Sequence, residues 1–91
     1  MFERRAEEKR LFAELYESIR AKSYSELRDL YLENERSEDI VSPSGKRYQA
    51  DVLAYWDDKP GGALRVFVVL TPDSRWRLFG GISNDFLKLP E

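Results

Sequence analysis

The sequence predicts an α+β fold: two N-terminal helices packed on one face of a three- to four-stranded antiparallel meander sheet, followed by a short C-terminal helical turn. Three observations predict it. Apolar residues recur at three- and four-residue spacing up to about residue 35, they alternate with polar residues from about residue 38, and one Asp-Asp-Lys-Pro-Gly-Gly break sits between two alternating runs. With 91 residues the chain has the size of one domain, read as a helical segment 1–35, a sheet 38–80 and a C-terminal turn 82–91.

The first helix follows from Leu11, Phe12, Leu15, Tyr16 and Ile19, which wind into a single stripe at 3.6 residues per turn. Upstream, residues 2–10 carry charge almost all round, with Glu3–Glu7 repelling and Arg4–Glu8 attracting at i,i+4, so the first two turns are expected to be the weakest. Ser23 and Glu26 have the spacing of a capping box and start a second helix, whose buried side is marked by Leu27, Leu30 and Tyr31. Asn34, Arg36 and Ser37 end it.

A short strand is expected over 39–42, then the Pro43-Ser44-Gly45 turn, then a long strand over 46–56. In that strand Tyr48, Ala50, Val52, Ala54 and Trp56 share one side, and Arg47, Gln49, Asp51, Leu53 and Tyr55 the other. The 57–62 loop joins a hairpin to the strand 63–70, where Leu64, Val66, Val68 and Leu70 oppose Ala63, Arg65, Phe67 and Val69. Both faces are largely apolar, which predicts a central strand covered on both sides. Thr71-Pro72-Asp73-Ser74 reads as a tight turn into a strand over 75–79, and Ser83-Asn84-Asp85 as the cap of a helical turn through Phe86 and Leu87 that Pro90 stops.

Composition excludes several function classes. The chain has no cysteine and no histidine, which removes disulfides, thiolate and imidazole metal sites, and serine–histidine chemistry. No metal or other cofactor is implied, and the reading leans away from an enzyme. A net charge of -2 argues against binding driven by phosphate neutralisation, even though Arg75-Trp76-Arg77 and Lys46-Arg47-Tyr48 interleave basic and aromatic residues. Trp56 and Trp76 read instead as core anchors. The apolar run 66–70 is far short of the roughly 20 residues of a membrane span, and the charged first ten residues lack the features of a secretory leader, so a cytoplasmic protein with no membrane partner is expected. Residues 1–39 hold 8 basic and 11 acidic side chains against 7 and 6 in 40–91, a mildly acidic helical part beside a mildly basic sheet.

Two groups of residues could carry function. Asp57 and Asp58, beside Trp56 and a glycine-rich loop, could act as acid/base or cation ligands, or serve as ordinary turn residues. Arg65 with Phe67, and Arg77 with Phe79, fall on one face of their respective strands. Matched, they make a face suited to a carboxylate or aromatic ligand or to a subunit interface, or else a second small core under Phe86-Leu87-Lys88-Leu89 rimmed by the arginines.

Gly45-Lys46-Arg47-Tyr48, Tyr55-Trp56-Asp57-Asp58, Gly62-Ala63-Leu64-Arg65-Val66 and Asp85-Phe86-Leu87 give the half from Ser44 onward a resemblance to small bacterial proteins of unknown function. That resemblance implies no activity. The order of elements is also similar to trimmed cystatin-like or NTF2-like α+β domains, although 91 residues leave no room for the third helix and longer sheet of an NTF2-like cone.

The expectation is thus a non-enzymatic binding or protein-interaction module, a homodimer or a binder of another protein, using the Arg65/Phe67/Arg77/Phe79 face or a strand edge. One alternative is a small-ligand binder or enzyme built on Asp57, Asp58, Arg65 and Arg77. The other is a blocking protein of the immunity or antitoxin kind, whose acidic helical surface (Glu14, Glu17, Glu26) meets a basic partner.

Overall fold

A computed structural model describes residues 2–72 and 81–91 and shows the expected α+β arrangement, helices first. Helix α1 spans Phe2–Arg20 and α2 spans Tyr24–Tyr31. They are followed by strands β1 (Arg36–Val41), β2 (Arg47–Trp56), β3 (Leu64–Pro72) and β4 (Ile82–Lys88). The strands form one antiparallel sheet in the order β1-β2-β3-β4, with both helices on one face. No described helix is long and apolar enough to cross a membrane.

The capping box is formed in full. The Glu26 amide donates to Ser23 Oγ at 3.2 Å, and the Ser23 amide donates to Glu26 Oε1 at 3.3 Å. An eight-residue helix is too short to hold itself in water, and α2 is fixed by its buried face of Tyr24, Leu27 and Tyr31. Just past its end Glu33 takes a positive φ of 51°, and its amide donates to the Ala54 carbonyl at 2.8 Å, so the helix exit is pinned to β2. At the β1–β2 turn Gly45 (φ 88°) supplies the left-handed backbone that other residues resist, while the Ser42 amide and Lys46 carbonyl close the hairpin at 2.8 Å.

Strand parity decides the core. Tyr48, Ala50, Val52 and Ala54 of β2 and Leu64, Val66, Val68 and Leu70 of β3 are all buried on the helical face, joined by Phe12 and Ile19 of α1, the α2 residues and Phe86 of β4. Trp56 is half-buried against this core. Strand β3 lies between β2 and β4, as its two apolar faces predict, but its other face is not closed over: Phe67 is 40% exposed.

Two expectations are corrected. Ile82–Lys88 is a strand and not a helical turn, registered on β3 with Phe86 opposite Val66 and Ile82 opposite Leu70. The Ser83-Asn84-Asp85 capping signal is local, whereas a buried β3 with one open side leaves a row of backbone donors and acceptors that only another strand satisfies. The first strand begins at Arg36 and not at 39, because Arg36, Ser37 and Glu38 find partners in Val52, Asp51 and Ala50. The strand expected over 75–79, with Trp76, Arg77 and Phe79, lies outside the described residues.

Candidate functional site

Two surfaces stand out, one on each side of the sheet. On the side away from the helices, register brings Tyr55 of β2, Arg65 of β3 and Leu87 of β4 into one row, with Leu53, Phe67 and Asp85 in the next. Tyr55 and Leu87 are each 46% exposed. The Tyr55 and Phe67 rings meet edge-on at 6.3 Å between centroids. The result is a contiguous apolar patch spanning three strands that no described element covers.

Arg65 lies at the centre of this patch and is committed. Its Nε donates to Asp57 Oδ1 at 3.1 Å, Nη2 reaches the same oxygen at 3.0 Å, and Nη1 reaches Asp85 Oδ2 at 2.7 Å. Hydrogen bonds from Arg65 to Asp85 first and Asp57 second hold the guanidinium charged still more firmly than usual. A cation bracketed by two carboxylates is a poor clamp for a further anion. The 57–63 loop creates this arrangement: the Asp57 amide donates to the Ala63 carbonyl at 2.9 Å and the Gly62 amide to the Lys59 carbonyl at 3.0 Å, so the hairpin returns with Asp57 beside Arg65.

The structure therefore brings Arg65, Phe67 and Asp57 together, leaves Asp58 exposed in the loop, and says nothing of Arg77 and Phe79, which lie outside the described residues. Among the described residues, Asp57 and Asp58 line neither cleft given below and belong to no cluster of three acidic groups fit for a metal ion. Of the second core suggested under Phe86 and Leu87, Phe86 lies instead in the main core, Leu87 shares the Phe67 side, and Phe79 lies outside the described residues. Tyr55, Leu87 and Asp85 are members that sequence reasoning missed. Parity alone places Tyr55 on the Arg65 side once the 57–63 loop fixes the register, but β4 had to be a strand before Leu87 and Asp85 could join.

On the helical side, α1 packs chiefly on β3 and β4 and α2 on β2 and β3, so β1 is the strand the helices cover least. A cleft of about 400 Å³ is left between Leu15, Ile19, Leu30 and Tyr31 of the helices and Arg36, Glu38, Ala50 and Val52 of the sheet. A shallower hollow of about 330 Å³ continues along α1 toward Pro43, lined by Glu7, Arg10, Leu11 and Glu14. The free edge of β1 is guarded by Glu38 and Asp39, charges that discourage pairing with another strand.

No family model, curated protein or solved structure matches the chain, so its function has to be argued from these surfaces.

Proposed function

We propose that the chain is a non-enzymatic protein-interaction module that self-associates through the outer face of its sheet. The observation that carries this reading is the patch of Tyr55, Phe67 and Leu87, which no described element covers, around an Arg65 paired with two carboxylates. Aromatic and arginine side chains are the ones that interface centres favour. Because Arg65 is already paired within its own chain, a partner closing over it meets no unmatched cation, which would be costly to bury, and the one carboxylate charge in excess is shared by Asp57 and Asp85, whose side chains are about a third exposed.

A second copy fits as the occupant by size. Four strands about 4.8 Å apart and seven residues of about 3.3 Å rise each give a face of roughly 19 by 23 Å, so two faces present about 900 Å² in projection. That area belongs to weak, reversible complexes and not to obligate dimers, which bury about 2,000 Å² or more. The small net charge of -2 adds little repulsion between copies.

Sedimentation or light scattering over a concentration series tests the proposal. The expected result is an average mass rising from the 10.7 kDa of one chain toward twice that value. Phe67→Ser combined with Leu87→Ser should hold the mass at one chain while the circular dichroism spectrum stays that of the folded domain. A wild-type chain that stays monomeric at the highest attainable concentration, or a double variant that still dimerises, refutes it.

A further inference from the structure

The cleft between the helices and the β1–β2 edge has features the outer patch lacks: depth, and hydrogen-bond donors without partners. Its depth comes from the sequence. Ala50 puts only a methyl group on the inner face of β2, and Leu15, Ile19, Leu30 and Val52 wall the space beside it. Its volume of about 400 Å³ lies within the range of small-molecule sites, about 300–1,000 Å³.

Two side chains able to donate hydrogen bonds, Arg36 and Tyr31, line the cleft. Arg36 Nε donates to the Leu30 carbonyl at 3.0 Å, which holds the guanidinium at the end of α2, and among the described residues no carboxylate comes within 4.0 Å of its remaining nitrogens. Tyr31 is 8% exposed, and its hydroxyl has no hydrogen-bond partner among the described residues. Burial raises the Tyr31 pKa above its usual value, so at neutral pH the phenol keeps its proton and can donate it. Ser37 is already engaged, its hydroxyl donating to Asp51. Glu38, two residues along the same face of β1 from Arg36, and Glu26, whose charge also reaches Tyr31, set two negative charges against the one positive charge of Arg36, which disfavours ligands carrying more than one anionic group and leaves a carboxylate to be held by direct hydrogen bonds.

From this arrangement we infer that the cleft binds a small apolar monocarboxylate, with its hydrocarbon part on Leu15, Ile19, Leu30, Ala50 and Val52 and its carboxylate taking hydrogen bonds from Arg36 and Tyr31. The inference does not depend on self-association, because the cleft and the outer patch lie on opposite faces of the sheet.

Octanoate, octanol and octylammonium share one chain and differ in head group, so titrating each into the ¹⁵N-labelled protein separates the contributions. Octanoate should bind best, with amide shifts centred on Leu30, Arg36, Ala50 and Val52. Arg36→Gln and Tyr31→Phe should each weaken octanoate by about tenfold or more, the loss typical of one hydrogen bond to a charged group. Ala50→Leu should abolish binding by filling the space, and Ala50→Val, the smaller change for use where leucine disturbs folding, should weaken it. Three results would overturn the inference: octylammonium or octanol binding as well as octanoate, shifts centred instead on Tyr55, Phe67 and Leu87, or full affinity retained by both Ala50 variants.

Discussion

Tyr24 ties three parts of the molecule together, and removing one of its atoms tests how the fold is held. Its ring is 7% exposed in the core, its hydroxyl donates to the Gly62 carbonyl at 2.6 Å across 38 positions of sequence, and its amide donates to Glu91 Oε1 at 2.6 Å. Tyr24→Phe deletes only the bond to Gly62. That residue is half-exposed, so water can reach the freed carbonyl, and the loss should sit near the ordinary net value of about 1 kcal/mol and not at the higher cost of a sealed, unpaired group.

For a domain of this size each kcal/mol moves the melting temperature by about 4–8 °C, so a drop of about that size is expected in a thermal scan. Against a total of roughly 5–14 kcal/mol for 91 residues the variant still folds. Tyr24→Ala also empties the ring's place in the core and should cost about 3–5 kcal/mol. As an internal comparison, Tyr16 is half-buried and donates to the Asp85 carbonyl over a longer 3.1 Å, so Tyr16→Phe should lose less than Tyr24→Phe. Equal melting temperatures for Tyr24→Phe and wild type, or a larger loss at Tyr16, would refute the reasoning that this bond clamps α2 to the 57–63 loop.

Two further predictions concern the helix ends. Ser23→Ala removes one half of the capping box and should cost about 1 kcal/mol by urea unfolding, with the slope unchanged. At the other helix, the Ser44 hydroxyl donates to Glu7 Oε1 at 2.6 Å and, with Ser42 and the charge of Lys46, lowers the Glu7 pKa. A carboxyl depressed on folding adds stability that is present above its unfolded pKa and is lost as pH falls through the folded one. Ser44→Ala should therefore shift the Glu7 midpoint upward in a carboxyl-carbon NMR titration and reduce the dependence of stability on pH on the acid side; an unchanged midpoint would show that the contact is absent in solution.

What could be read from the sequence was what short-range geometry dictates. The 3.6-residue stripe of α1, the capping box of α2 and the two-residue alternation of β2 and β3 each depend on neighbours within one or two turns, and each fixed which side chains face the core. Tertiary structure decided the rest. Ile82–Lys88 carries a local helix-cap signal, yet it is a strand because β3 needed a partner along its second side, a demand visible only once the sheet is assembled. The candidate sites divide along the same line: alternation put Arg65 and Phe67 on one face, but their surroundings of Asp57, Asp85, Tyr55 and Leu87 follow from a register set by the loop and by β4. The cleft was not legible at all, since it arises where the helices pack least closely on β1 and where Ala50 offers only a one-carbon side chain. Such space is a property of how elements cross, and no single segment encodes it.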